Sequence, residues 1–103
     1  MSETRLRAVR WRRAAGDDLA EIVDYIAADS PDAAQRLLEG IMERIASLAS
    51  IPFSGAICPH YPKARQLLYG NYIIYYTVSR REVLVRAIVH GARLFRASWL
   101  RRK

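Results

Sequence analysis

The sequence predicts an α+β fold in which an antiparallel helix hairpin packs on one face of an antiparallel sheet. Two patterns predict it. Residues 14–48 repeat apolar side chains at helical spacing in two adjacent stretches, and residues 64–89 form three β-rich runs separated by short turns. The length of the chain is consistent with this fold, because 103 residues with 51% apolar side chains can bury one hydrophobic core. We expect a single domain over residues 1–103, with residues 94–103 as a basic aromatic tail.

The N-terminal strand is predicted over Arg5–Arg12. There, "RLRAVRWR" interleaves apolar side chains with arginine imperfectly, which indicates an edge strand whose arginines keep to solvent. From Ala14 the apolar period becomes helical, and Asp17 and Asp18 lie in the first turns, where the helix dipole favours negative charge. This first helix ends near Asp29. Its apolar stripe consists of Leu19, Ile22, Val23 and Ile26.

The second helix is predicted to begin at "SPD". The Ser30 side chain can cap the helix, and Pro31 suits the first helical position. The helix stops before Pro52, and the short break between the two helices predicts an antiparallel hairpin. Its apolar stripe consists of Leu37, Leu38, Ile41, Ile45 and Leu48.

The second half of the chain is predicted to form a loop, three strands and a short tail. Residues 51–63 contain three of the four prolines, which restricts the flexibility of this loop. The runs "ARQLLY", "NYIIYYTV" and "EVLVRAIV" then predict an antiparallel meander. The last segment, "LFRASWLRRK", predicts a short helix with Phe95 and Trp99 one turn apart.

The last two strands can be assigned to faces if Val78 lies opposite Val83, as a two- or four-residue loop would place them. Alternation then gives one face that meets the helices and a second, more polar face that is open to a partner or substrate. The helix face comprises Tyr72, Ile74, Tyr76, Val78, Val83, Val85, Ala87 and Val89. The open face comprises Ile73, Tyr75, Thr77, Leu84, Arg86, Ile88 and His90. Tyr75 is the tyrosine that this assignment places for stacking on a base.

Charge is distributed unevenly along the chain, whose net charge is +7. Residues 17–43 carry eight acidic side chains against one arginine, whereas residues 44–103 carry eleven basic side chains against one glutamate. A basic surface of this strength favours an acidic partner. That partner is either nucleic acid or an acidic protein segment, and charge alone does not separate the two.

Cysteine, histidine and hydropathy patterns predict a cytoplasmic protein without metal or cofactor. Cys58 is the only cysteine, so no internal disulfide can form. Cys58, His60 and His90 do not have the spacing of zinc ligands. The sequence also has no signal peptide and no apolar run of about 18 residues that would span a membrane.

Several motifs occur here in the order found in one protein family. "DLAEIVDYIAADSPDAA", "IPFSG", "RQLLYGNYIIYYTV" and "VRAIVHGAR" resemble the RelE/ParE superfamily of toxins from type II toxin-antitoxin systems, from about Trp11 to Arg93. The resemblance implies the same order of strand, two helices and three strands. It also implies a small toxin that a cognate antitoxin neutralises.

Two positions decide which branch of the superfamily the chain resembles more. RelE-like members cleave mRNA on the ribosome without metal and carry lysines in the loop before the second strand and an arginine just after "GNY". This loop offers only His60 and Lys63, and the residue after Tyr72 is Ile73, which can neither bind a phosphate nor compensate its charge. The chain therefore resembles ParE more closely, whose characterised members poison DNA gyrase by protein contact.

The expected function is therefore inhibition of gyrase by binding and not by catalysis. The first alternative is a RelE-like, metal-independent mRNA endonuclease with a rearranged site at His90, Arg93 and Tyr75. A detoxified relative that retains only antitoxin binding and autoregulation is the second. For His90 the interpretation that we favour is a structural role at the end of a strand, because no carboxylate or nucleophile accompanies it.

Residues expected to contact partners lie mostly in the basic half of the chain. Arg93 matches a phosphate-contacting position of RelE-like toxins, and here it can equally contact a protein. Aromatic side chains with arginine are typical of protein interfaces. We expect target contacts from Arg93, Phe95, Arg96 and Trp99, and antitoxin contacts from Arg65 and Arg86.

Overall fold

A five-stranded sheet carries both helices on one face in the computed structural model, which describes residues 6–103. The strands are β1 (Ala8–Trp11), β2 (Ala56–Ile57), β3 (Arg65–Tyr69), β4 (Tyr72–Val78) and β5 (Glu82–His90). The helices are α1 (Arg13–Ala27) and α2 (Pro31–Ala46), followed by 3₁₀ turns at Ser47–Ala49 and Ala97–Arg101. The predicted order of elements is confirmed, with the two-residue strand β2 as an addition inside the proline-rich loop.

The strand order is β1-β5-β4-β3-β2. Strands β3, β4 and β5 form the predicted antiparallel meander, and β1 lies at the edge, parallel to β5, with Ala8 opposite Glu82. The predicted N-terminal strand is longer than β1, and Arg5 at its start lies outside the described residues. The predicted cap of α2 is present, because the Ser30 hydroxyl accepts a hydrogen bond from the Ala33 amide at 3.2 Å.

The main core lies between the helices and the sheet. Tyr76 is fully buried there; its hydroxyl donates to the Pro52 carbonyl at 2.8 Å and accepts from the Gly55 amide at 2.9 Å. A side chain at Gly55 would collide with that hydroxyl, so glycine is required at this close approach. The buried members of the core are Ala15, Leu19, Ile41, Ile45, Leu48, Leu67, Ile74, Tyr76, Val83, Val85 and Ile88.

A β-bulge at Arg86 reverses the predicted faces of the second half of β5. Val78 lies opposite Val83 as predicted, but Tyr76 pairs with Val85 and Tyr75 with Ala87, which leaves Arg86 as the extra residue. The face assignment was therefore wrong from the bulge onward. Ala87 and Val89 lie on the face away from the helices, whereas Ile88 and His90 lie on the helix side.

The face predicted to be open is covered by a second apolar cluster. The proline-rich loop and the tail pack onto β4 and β5, and Tyr75 in this cluster is only 4% exposed. The prediction that Tyr75 lies on an open face was wrong, because a single-strand pattern does not report which distant segment covers a face. The buried members are Cys58, Ala64, Tyr75, Ala87, Val89, Trp99 and Leu100.

Polar contacts fasten the tail at three points. The Arg86 guanidinium donates to the Leu100 carbonyl at 2.7 Å, and the Ala14 amide donates to the main-chain oxygen of Lys103 at 2.9 Å. Arg102 donates two hydrogen bonds to the Asp18 carboxylate. These bonds raise the pKa of Arg102, against the lowering effect of burial. The tail is thus part of the folded structure, in agreement with the short helical tail that the sequence predicts.

Candidate functional site

The chain leaves β5 through a turn that His90 organises. The Nδ1 atom of His90 accepts a hydrogen bond from the Ala92 amide at 3.0 Å, and the main-chain carbonyl of His90 accepts one from the Arg93 amide at 3.1 Å. The imidazole lies edge-on to the Tyr72 ring, with 5.4 Å between centroids. This geometry supports the structural interpretation of His90, because the ring holds the turn that presents the next residues.

An aromatic cluster anchors the tail beyond this turn. Trp99 is only 8% exposed, and its ring, the Phe95 ring and the Tyr75 ring are in mutual contact, with centroids 5.5 Å to 6.5 Å apart. His60, from the proline-rich loop, stacks on the outer side of Phe95 at 5.2 Å. Edge-to-face and stacked pairs at these distances stabilise the contact between tail, loop and sheet.

Three side chains of the turn and tail lie at the surface. The Arg93 guanidinium stacks over the Trp99 ring at 5.0 Å, Leu94 is 88% exposed, and Arg96 is exposed. Together, residues 93, 94 and 96 form a small cationic surface with an apolar centre, which we call the tail surface. Leu94 begins the predicted tail, but the sequence did not single it out among the expected target contacts.

The structure places His90 and Tyr75, two of the three residues of the alternative catalytic site, on opposite faces of the sheet. His90 and Arg93 line one cavity of about 610 Å³ beside α1. Tyr75 lies in the second apolar cluster, on the opposite face of the sheet. Burial, and secondarily the charge of Cys58, raise the pKa of Tyr75, which further disfavours proton transfer by its hydroxyl.

At two of the positions that distinguish RelE-like toxins, the side chain of this protein packs against its own fold. Ile73 is half-buried and packs against the second apolar cluster, so its side chain supports the sheet. His60 is engaged in stacking on Phe95. The third position, Lys63, is exposed and lines a different cavity, together with Arg12 and Arg86.

Both arginines expected to contact the antitoxin make internal hydrogen bonds. Arg65 donates to the Gly55 carbonyl at 2.8 Å and stacks over the Phe53 ring at 4.9 Å. Arg86 donates from Nε to the Thr77 hydroxyl at 2.9 Å, in addition to its bond to Leu100. Both side chains are half-buried, and each guanidinium has further N–H groups beyond these bonds. Their contact with an antitoxin stays a prediction.

An exposed tyrosine extends the cavity at His90 and Arg93 onto α1. Tyr25 is 81% exposed, and it lines this cavity together with Glu21 and Asp24. The sequence contained a signal for it, because Tyr25 lies outside the apolar stripe of α1. A large aromatic side chain on a polar helix face is a candidate anchor for a partner.

Residues 6–103 contain neither a cluster of metal-ligating side chains nor a helix that could span a membrane. Within that range, His, Cys, Asp and Glu form no group of three or more that is suited to holding a metal ion. None of the helices in the same range combines the length and apolarity required to cross a bilayer.

Known proteins resemble this chain in sequence and in fold. The family model described as "ParE toxin of type II toxin-antitoxin system, parDE" matches residues 9–95. A chain of the chromosomal ParDE toxin-antitoxin system from P. aeruginosa is 25% identical, with a TM-score of 0.70 over 82% of this chain and 96% of that one. No curated protein matches.

A second solved structure shares the fold alone. A chain of the toxin-antitoxin complex RelBE2 from Mycobacterium tuberculosis has a TM-score of 0.60 at 15% identity, over 90% of this chain and all of its own length. Both likenesses confirm the α+β fold predicted from the sequence.

Proposed function

This chain belongs to the ParE toxin family of type II toxin-antitoxin systems, and we propose that it acts by binding DNA gyrase. The resemblance to the RelE/ParE superfamily, and to ParE in particular, is confirmed by the family match over residues 9–95. We further propose that the protein works in the cytoplasm and that a cognate antitoxin neutralises it.

One observation carries the choice of binding over RNA cleavage. The sheet face that contains Tyr75 is covered by the chain's own tail and loop, with Trp99 and Leu100 buried against it. A nuclease needs a proton-transfer group and cations that reach a scissile phosphate together. Here Tyr75 is buried, and Ile73 stands where RelE-like members carry an arginine.

The tail surface is the proposed contact for gyrase. Leu94 supplies exposed apolar area between Arg93 and Arg96, and such a combination is favoured in protein interfaces. Phe95 and Trp99 were also expected as target contacts; Trp99 is buried, whereas Phe95 is half-buried and its contact with the target stays a prediction. They hold the tail on the sheet and so fix the geometry of the tail surface, and Trp99 additionally supports Arg93 by stacking.

The antitoxin is proposed to bind through an acidic segment that folds on the toxin. Eleven basic side chains against one glutamate in residues 44–103 favour such a partner, and charge steers the encounter. Arg65 and Arg86 are the proposed cationic contacts. The similar chain from P. aeruginosa comes from a structure of a ParDE toxin-antitoxin system, which supports an antitoxin partner for this chain.

Induction in growing cells tests the choice of target class. If gyrase is the target, induction causes DNA damage signalling while bulk transcripts stay intact. Transcript cleavage within minutes, with normal plasmid supercoiling, would contradict the proposal and support the endonuclease alternative. Normal growth despite accumulation of folded protein would support the detoxified alternative. The same induction is run with Leu94→Asp, which disrupts the tail surface and should therefore cause less DNA damage signalling.

A further inference from the structure

A cavity of about 450 Å³ lies where β1, β4, β5 and the proline-rich loop meet. Three basic side chains line it, and each comes from a different part of the chain. Arg12 follows β1, Lys63 lies in the loop, and Arg86 is the bulge residue of β5. The hydroxyl-bearing side chains of Tyr61 and Thr77 also line the cavity.

The three basic side chains lack acidic partners. In the described part of the chain, the two ion pairs join Arg10 to Glu82 and Arg102 to Asp18, and neither includes Arg12, Lys63 or Arg86. The Arg12 Nε atom is buried and has no hydrogen-bond partner among residues 6–103. A buried N–H without an acceptor is unfavourable, and so is a guanidinium without a counter-charge. An anion in the cavity would supply the counter-charge that the Arg12 guanidinium lacks.

Arg12 and Arg86 are also close enough to affect each other. Burial lowers the pKa of Arg86, the positive charge of Arg12 lowers it further, and Tyr61 opposes this shift. Arg86 is held in place by its bonds to Thr77 and Leu100, so its guanidinium is oriented before any ligand arrives. Arg12 lines the same cavity, and two like charges at one cavity attract an anion that binds both.

Charge and size indicate which anion fits. Glu82 also lines the cavity, and its carboxylate lies 3.7 Å from the exposed guanidinium of Arg10. Three cations against this one carboxylate leave an excess of two positive charges. A phosphate dianion balances that excess, whereas a single carboxylate balances half of it. Guanidinium groups match phosphate oxygens in pairs, and the volume admits free phosphate or a phosphomonoester.

We propose that this cavity is an oxyanion site for a phosphate group, with Arg12, Lys63 and Arg86 as its charge partners and the Tyr61 hydroxyl as an additional donor. The ligand is either inorganic phosphate or the phosphate of a small phosphomonoester such as a nucleoside monophosphate. The site uses none of the residues of the tail surface, so phosphate binding and gyrase inhibition can be measured and can fail independently.

Phosphate titration of the full chain at constant ionic strength tests the site. The Nε–H resonance of Arg12, followed by NMR, should shift and saturate as inorganic phosphate is added. Arg12→Gln and Lys63→Gln should each weaken binding about tenfold or more, because each removes a charge-assisted contact. Arg12→Lys keeps the charge but loses the planar guanidinium, so its affinity should lie between wild type and Arg12→Gln.

Arg13→Gln is the matched control. Arg13 is exposed, lies next to Arg12 and does not line the cavity, so this variant makes the same charge change outside the site. It should alter phosphate affinity less than about twofold. A shift that never saturates, or equal weakening by Arg13→Gln and Arg12→Gln, would overturn the proposal, because it would show general ion binding.

Two further titrations distinguish the ligands. Tighter binding of a nucleoside monophosphate than of inorganic phosphate would assign the site to phosphomonoesters, and equal binding would assign it to phosphate itself. Acetate bound as tightly as phosphate would overturn the assignment to a dianion. Folding of each variant is checked by its amide spectrum, and Lys63→Gln keeps the test available because Lys63 is an exposed loop residue.

Discussion

Arg102 donates two hydrogen bonds to the Asp18 carboxylate, at 2.9 Å and 2.7 Å, and so joins the tail to α1 across 84 positions of the sequence. The same carboxylate accepts a hydrogen bond from the Ile88 amide at 3.0 Å, next to the bulge at Arg86. Asp18 therefore links α1, β5 and the tail. The sequence suggested a helix-dipole role for this residue, and its ion pair with Arg102 was not predicted.

Asp18→Asn should destabilise the protein. It removes the main counter-charge of Arg102 from a partly buried pair, at a cost of about 1–2 kcal/mol in the free energy of unfolding, below the value for a fully buried pair. Urea unfolding measures this cost. Asp24→Asn, at an exposed position of the same helix, is the control and should change stability by less than about 0.5 kcal/mol. Equal stability of the two variants would show that the contact contributes nothing.

Tyr75 should make stability depend on alkaline pH. Burial raises its pKa, so as pH rises above about 10 an unfolded tyrosine loses its proton while folded Tyr75 keeps it. The unfolded state then binds fewer protons, and the free energy of unfolding falls. Between pH 9 and pH 11, the free energy of unfolding of Tyr75→Phe, measured in urea, should fall less steeply than that of the wild type. Tyr25→Phe, which removes a solvent-exposed hydroxyl, is the control. Parallel curves for wild type and Tyr75→Phe would argue against burial of this hydroxyl.

Local features of the fold were predictable from sequence where one short segment determines them. Ser30 and Pro31 mark the start of α2, and the turn between β4 and β5 fixes Val78 opposite Val83. The faces of β5 beyond residue 86 were not predictable. Residues 87–89 are all apolar, so their alternation does not reveal that a bulge has shifted the strand by one residue.

The candidate site was predictable only in part, for a related reason. Arg93 was expected from the family resemblance and Arg96 from the composition of the tail, and the structure places both side chains at the surface. The burial of Tyr75 and Trp99 depends on contacts between the tail, the loop and the sheet, which are far apart in sequence. No local period records such contacts, and the roles of both side chains therefore required the structure.

His90→Gln should remain toxic. Glutamine keeps polarity and approximate size, so a binding inhibitor loses at most a hydrogen bond, about 1 kcal/mol or several-fold in affinity. A nuclease that used His90 as acid or base would lose about 10² to 10⁴ in rate. Growth after stepped induction measures the difference. Antitoxin binding verifies folding. A folded, harmless His90→Gln protein would support the endonuclease alternative.

Leu94→Asp should lower toxicity without unfolding the chain. Leu94 is 88% exposed, so its replacement changes stability by less than about 0.5 kcal/mol, while it places a charge at the centre of the tail surface. Deletion of the tail is a poorer test because Trp99 and Leu100 are buried and their loss would uncover the second apolar cluster.

The control for this prediction is Leu68→Asp, the same substitution at a 59% exposed position on β3. Leu94→Asp should raise the concentration for half-maximal gyrase inhibition about tenfold or more, as expected for an interface hot spot. Leu68→Asp should leave it unchanged. Equal inhibition by both variants would show that the tail surface does not contact gyrase.

The most direct test of the account is a supercoiling assay with purified gyrase and the purified chain, run beside an mRNA cleavage assay on programmed ribosomes. We predict that the chain inhibits supercoiling in proportion to its concentration, that the cognate antitoxin restores the activity, and that the mRNA stays intact. Cleaved mRNA together with unaffected supercoiling would contradict it.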